Sequence, residues 1–169
     1  MTATRTPDTG RLDRLLALCR KDAAGLARVI ARLFSTPATG ERLSALGTDD
    51  ELAERVEAFA ARFGRLQDAL VDKLLPAYFD LMEEPPRPVV EMLDRAERLG
   101  LVASADAFIQ ARKLRNRLVH EYVENMDELA ANLNEAQRAS AQLTATLERV
   151  AEALKSREAA PPPGDGNQP

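Results

Sequence analysis

One stretch of this chain combines residue types that could carry out acid–base and phosphate chemistry. Residues 115–122 read RNRLVHEY and contain His120, the only histidine in the protein. Histidine titrates near neutral pH and can therefore take up or release a proton during a reaction. Arginine presents a planar fork of donors that matches phosphate oxygens and can stabilise charge developing at phosphorus. Together Arg115 and His120 indicate chemistry at a phosphate ester.

This chemistry would suit cleavage of RNA without a metal. The ribose 2′-hydroxyl would supply an internal nucleophile and leave a cyclic phosphate and a 5′-hydroxyl. His120 would act as acid or base and Arg115 would stabilise the phosphate, while Asn116 could orient the imidazole or hold a phosphate oxygen. The neighbouring cations that would attract an RNA backbone non-specifically are Arg112, Lys113 and Arg117.

The spacing of the two central residues predicts that such a site would be shared between two protomers. Successive residues on an α-helix are rotated by roughly 100°, so Arg115 and His120, five positions apart, differ by roughly 140°. Asn116, four positions before His120, lies on the same face as the histidine. One helix does not readily aim Arg115 and His120 at one point, whereas two copies facing each other across a twofold axis could.

Ordinary structural roles are the alternative for each of these residues. A lone histidine on a helix is often only a partly exposed polar residue, and a cluster of cations is often a solvated face. Tyr122 could simply pack at the rim of the core. A metal site is not expected, because the chain has one histidine, one cysteine and no spacing typical of zinc ligands.

The composition indicates one helical domain of a cytoplasmic protein. Of the 169 residues 45% are hydrophobic and 30% charged, and the net charge of −4 argues against a general nucleic-acid binder, so neither DNA nor a membrane is an expected partner. The single cysteine, Cys19, is predicted to be a buried core residue in a reducing compartment. Met1 to Gly10 lacks the apolar segment of a signal peptide.

Hydrophobic periodicity predicts the helices that must position the motif. A stripe from Leu12 to Leu33 indicates a first helix of about 25 residues. A second helix should start at residues 48–51 and continue from Leu52 to Leu74. Gly64 should lower the stability of this helix modestly, and Pro76 should kink or end it. A short turn could occupy residues 41–48.

The second half of the chain contains the motif helix. After the break at residues 83–88, a short helix should run from Val89 to Leu99, with Val90, Leu93, Ala96 and Leu99 facing inward. Ser104 should cap the motif helix, whose buried stripe is Phe108, Ala111, Leu114, Leu118 and Val119.

A long closing helix, capped near Asn125, should extend from Leu129 to Leu154. The sequence thus predicts an all-α antiparallel bundle of four or five helices over residues 10–156. Residues 1–9 should be flexible, and the Pro/Gly-rich residues 157–169 should form a disordered tail.

The motif resembles the RX4HXY signature of the HEPN-domain ribonuclease toxins, which occur in HEPN–minimal nucleotidyltransferase toxin–antitoxin pairs. The resemblance covers roughly residues 50–145 and includes Pro86-Arg87-Pro88 before a short helix, a Gly100-Leu101 turn, and the motif late in the next helix. It implies a HEPN-like bundle that works as a homodimer, with RNA as the substrate and no cofactor.

The resemblance also implies roles for individual residues. Arg115 and His120 would be the catalytic pair, and Asn116 the polar residue that follows the arginine. Tyr122 would be adenylylated by the cognate nucleotidyltransferase antitoxin, and the anionic AMP group would then compete with RNA for the basic cleft. Two alternatives stay open: a non-catalytic HEPN binding module that partners a nucleotidyltransferase, and a helical scaffold whose apolar stripes bind partner helices.

Overall fold

A computed structural model describes residues 9–120 and 124–159, and for Thr9, Val119 and His120 it describes the backbone alone. All regular secondary structure in these ranges is helical, which confirms the predicted all-α class. The helices are α1 (Thr9–Leu33), α2 (Gly40–Leu43), a 3-10 turn (Ser44–Gly47), α3 (Asp50–Ala69), a π-helical turn (Leu70–Leu74), α4 (Leu75–Leu81), α5 (Val89–Arg98), α6 (Ala105–His120) and α7 (Met126–Ala159).

Helices α1 and α3 form the longest helix–helix contact of the fold, and they run antiparallel. The ring of Phe34, just after α1, lies 5.3 Å from that of Phe59 in an edge-to-face arrangement. Near the start of α1, Arg11 lines the same small pocket as Ala77 of α4, which continues α3 beyond the π-helical turn. The contacting residue numbers therefore increase on one helix as they decrease on the other.

Pro76 changes the helix type just before it rather than ending the helix. Proline lacks an N–H, and its ring clashes with the carbonyl four residues earlier in a regular α-helix. The structure relieves this conflict with the π-helical turn, in which Leu75 N–H donates to Leu70 O, five residues back. The second long helix consequently continues to Leu81 and keeps its apolar side chains in the core.

The core lies where α6 packs between α3 and α7, with α5 covering the other side of α6. Phe63 from α3, Leu114 from α6, Leu133 and Leu147 from α7, and Leu93 from α5 are completely buried. Burial of these large side chains supplies most of the driving force that fixes the motif helix in place.

Two inward positions predicted for α5 are wrong. Val90 is 54% exposed and Leu99 is 41% exposed. Met92, Leu93 and Ala96 form the buried stripe, and Val90 lies two positions before Met92, on the opposite side of the helix. Leu99 is the C-cap, beyond the last helical residue, and Gly100 then turns the chain away with a positive φ of 72°.

Most predicted helix ends are confirmed. Asp49 Oδ1 accepts a hydrogen bond from Leu52 N, and Asn125 Oδ1 accepts one from Asp127 N. Helix α7 continues to Ala159, so residues 157–159 are helical and the tail predicted from 157 begins too early. Helix α1 begins at Thr9, so the predicted flexible start of residues 1–9 extends one residue too far, and residues 1–8 and 160–169 lie outside the described ranges. Within those ranges no helix has the length and apolar character needed to cross a membrane.

Candidate active site

The motif helix α6 is fixed at its start by two polar contacts and along its length by a buried stripe. Ser104 Oγ accepts a hydrogen bond from Ala107 N at 3.1 Å, which confirms the predicted cap. Glu97 Oε2 accepts from Ala105 N at 2.7 Å. Phe108, Ala111 and Leu114 are buried, as predicted, and Leu118 is half-buried against the core. The polar residues of the motif therefore emerge on the sides of a firmly anchored helix.

Arg115 is held by hydrogen bonds at both terminal nitrogens. Nη2 donates to Asp68 Oδ2 on α3 at 2.9 Å, and Nη1 donates to Asn116 Oδ1 at 3.1 Å. The side chain is 28% exposed. Each terminal nitrogen carries a pair of N–H groups, so one N–H on each remains after these two bonds. Those remaining donors could bind the oxygens of a phosphate.

Gly64 provides the space in which the Arg115 side chain lies. A Cβ at this buried position would lie 3.0 Å from Arg115 Nε and 3.2 Å from its Cγ. The Nε atom is buried and has no hydrogen-bond partner. The sequence predicts only that Gly64 destabilises α3 slightly. In the structure the missing side chain lets Arg115 lie close against the backbone of α3. A glycine inside a strongly apolar helical pattern was the signal that could have suggested this role.

The basic cluster is partly neutralised by acids from another helix. Arg112 Nη1 lies 3.6 Å from Asp72 Oδ1 in the π-helical turn. Arg115 pairs with Asp68 near the end of α3, one helical turn before Asp72. Lys113 is exposed and Arg117 is half-buried. Sequence reasoning missed both aspartates, because nothing in a local pattern links acids on α3 and the π-helical turn to cations some 40 residues later.

The remaining motif residues are only partly described. His120 is the last residue of α6, and its side chain lies outside the description, as does all of Tyr122. Exposed Asn116 contacts Arg115 and lies one helical turn before His120 on the same face. The structure therefore joins Arg115, Asn116 and Asp68, whereas the roles of His120 and Tyr122 stay predictions from their spacing.

An open cleft of about 640 Å³ lies between α1, α3 and the motif helix, and Arg115 forms part of its wall. Its charged residues are the cations Lys21, Arg65, Lys73 and Arg115 and the acids Asp22, Asp68 and Asp72. Clefts of this size commonly hold small ligands or parts of larger ones. Among the side chains that the structure describes, no group of three or more His, Cys, Asp or Glu could hold a metal ion.

Cys19 of α1 has no exposed surface. Burial, together with the charge of Asp22 and against the opposing charge of Lys73, raises the pKa of its thiol to about 11. Its predicted place in the core is thereby confirmed, and a thiol with so high a pKa is a poor nucleophile.

Comparisons with protein-family models, with curated proteins and with solved structures found no match to this chain. The resemblance to HEPN ribonucleases therefore rests on the residues of the motif and their spacing.

Proposed function

We propose that this protein is the toxin of a toxin–antitoxin pair and a metal-independent endoribonuclease. The observation that carries this proposal is the geometry of Arg115. Its guanidinium is half-buried, fixed by Asp68 and Asn116, and lines a cleft with one N–H free on each terminal nitrogen. A preorganised donor pair of this kind suits the charge that develops on a phosphate during cleavage.

In the proposed reaction the 2′-hydroxyl oxygen of the RNA attacks the adjacent phosphorus. His120 takes the hydroxyl proton as the O2′–P bond forms. The P–O5′ bond then breaks, and a histidinium gives a proton to the departing O5′. The products are a 2′,3′-cyclic phosphate and a 5′-hydroxyl, with no net gain or loss of protons. Arg115 stabilises the negative charge on the phosphate oxygens throughout.

We further propose that the enzyme acts as a HEPN-like homodimer in which His120 and Arg115 meet across a twofold axis. The support is the rotation about the helix axis between these two residues: side chains five positions apart on one helix point roughly 140° apart. Tyr122 is the proposed site of adenylylation by a partner nucleotidyltransferase. An AMP group two residues after His120 would add negative charge beside the basic residues and would repel RNA.

The test is an RNA cleavage assay in excess EDTA with the full-length protein and three variants. His120→Ala and Arg115→Ala should each lower cleavage by about 100-fold or more, because each removes one catalytic interaction. Arg138→Ala removes an exposed arginine on α7 outside the cleft and serves as the matched control. Cyclic-phosphate ends are expected, and undiminished cleavage by either motif variant would contradict the proposal.

Mixing the two inactive variants tests the dimeric site. If each site takes Arg115 from one protomer and His120 from the other, a mixed dimer of Arg115→Ala and His120→Ala contains one intact site. Random exchange of subunits should then restore about a quarter of the wild-type activity. A mixture that has exchanged subunits and stays inactive would exclude a site shared in this way.

The mass of the intact protein, purified together with its nucleotidyltransferase partner, tests the proposed modification of Tyr122. An added AMP would be seen as an increase in that mass.

The ion pairs of the motif favour one alternative, a non-catalytic module that binds a nucleotidyltransferase. Arg112 and Arg115 already face Asp72 and Asp68, which weakens the attraction of this surface for RNA. This alternative predicts tight binding to the nucleotidyltransferase and no RNA turnover by the unmodified protein in the assay above.

A further inference from the structure

The cleft beside Arg115 contains cations that the proposed cleavage reaction does not use. Lys21 comes from α1, Arg65 from α3 and Lys73 from the π-helical turn, and all three are exposed. None of them forms an ion pair within the described part of the chain, whereas two of the three cleft acids do. Since the protein as a whole is net acidic, these cations form a local exception.

The charges of the cleft favour an anionic ligand once the ion pairs are taken into account. Asp68 is bonded to Arg115, and Asp72 Oδ1 lies 3.6 Å from Arg112 Nη1, so each of these two carboxylates faces a cation of the motif helix. Asp22 is half-buried and remains as the single uncompensated acid of the lining against Lys21, Arg65 and Lys73.

We propose that this cleft is a second phosphate subsite, in which Lys21, Arg65 and Lys73 hold the phosphodiester next to the one that is cut. The inference rests on the proposed ribonuclease function, because it treats Arg115 as the residue at the scissile phosphate. The cleft is large enough for a nucleotide, and Leu18 and Ala61 offer an apolar surface for its sugar or base. Leu18 is 40% exposed, so its side chain is accessible to a ligand in the cleft.

The experiment measures binding separately from cleavage. The probe is a fluorescein-labelled 2′-O-methyl RNA oligonucleotide, which lacks the attacking hydroxyl and cannot be cut. Its affinity for the full-length protein is measured by fluorescence anisotropy across a series of salt concentrations. The cleft variant is Lys21→Ala/Lys73→Ala, and the charge-preserving variant is Lys21→Arg/Lys73→Arg. The matched control, Arg138→Ala/Lys155→Ala, removes two exposed cations of α7 that do not line the cleft.

The cleft variant should weaken binding about tenfold at low salt, and its slope of log affinity against log salt should fall by about 0.7, the loss of one neutralised phosphate on a single strand. The charge-preserving variant and the α7 control should bind like the wild type. Equal affinities of the cleft variant and the α7 control would overturn the subsite, and so would a wild type that does not bind the probe.

The outcomes for the subsite and for the nuclease are distinguishable. Wild-type protein that binds the probe through Lys21 and Lys73 but never cleaves RNA would keep the phosphate-binding role of the cleft and reject the nuclease. Cleavage that depends on His120, together with unchanged probe binding by the cleft variant, would keep the nuclease and reject the subsite. Circular dichroism of each variant checks that its helices are intact.

Discussion

Arg115 on α6 donates a hydrogen bond to Asp68 on α3 across a sequence separation of 47 residues. The distance from Nη2 to Oδ2 is 2.9 Å, and the two side chains are 28% and 41% exposed. A pair as accessible as this contributes little to stability, about 1 kcal/mol at most. Its main consequence is positional, since it fixes where the guanidinium of the motif arginine lies.

Replacing Asp68 should therefore affect activity more than stability. In Asp68→Ala the Arg115 side chain loses its partner on α3, and we expect RNA cleavage to fall by up to about 100-fold. The free energy of unfolding should change by less than about 1 kcal/mol. Asp68→Asn keeps an acceptor oxygen and should retain more activity than Asp68→Ala. Steady-state cleavage kinetics and urea unfolding measure both effects. Faster cleavage by Asp68→Ala would instead mean that Asp68 competes with RNA for the arginine.

Adding a methyl group at Gly64 should displace Arg115 without unfolding the protein. The new Cβ of Gly64→Ala would press on Nε and Cγ of Arg115, while alanine favours the helix by about 1 kcal/mol. These effects oppose each other, so we expect stability within about 1 kcal/mol of wild type and RNA cleavage reduced about tenfold. Gly47→Ala is the control, since a Cβ there meets nothing within 4 Å. Equal cleavage by both variants would contradict the role assigned to Gly64.

The connection between α4 and α5 should be sensitive to acid through Glu84. Hydrogen bonds from Arg95 and Arg87, reinforced by their charges, lower the pKa of Glu84 to about 2 from its usual 4.5. Arg95 donates to this carboxylate from Nε at 3.1 Å and from Nη2 at 2.8 Å. Because the folded pKa is the lower one, the stabilisation is complete above pH 4.5 and is lost as the pH falls towards 2.

The comparison of wild type with Glu84→Gln tests this pH dependence. The variant should unfold at a lower temperature at pH 7, and the difference should shrink steadily below about pH 4.5, the usual glutamate pKa. Thermal unfolding followed by circular dichroism at several pH values measures it. A difference that is the same at pH 7 and near pH 2 would show that the ionised carboxylate contributes nothing.

The thiol of Cys19 should not react in the folded protein. It is completely buried, and desolvation together with Asp22 raises its pKa to about 11, so the reactive thiolate is scarce. We expect no reaction with a disulfide reagent at pH 8 in native buffer and one equivalent in denaturant. The Cys19→Ser variant measures the background signal of the reagent in the absence of a thiol. Rapid reaction of the native protein would contradict the burial of this residue.

The local sequence pattern was sufficient to predict most of the helices and most of their ends. The stripe from Leu12 to Leu33 predicted α1, and caps at Asp49, Ser104 and Asn125 were recognisable because each side chain bonds a backbone group within three residues. Prediction failed at Val90, an apolar residue that lies on the exposed side of the ten-residue helix α5.

The sequence by itself determined the all-α class, the place of the motif late in α6 and the residue types available there. Only the tertiary structure decided that Arg115 meets Asp68 over Gly64 and that Lys21 and Lys73 share its cleft. The physical reason is the separation along the chain over which each interaction acts. Helix periodicity and capping act over a few residues. Ion pairs and clefts between helices depend on how distant segments pack in space, which no local spacing specifies.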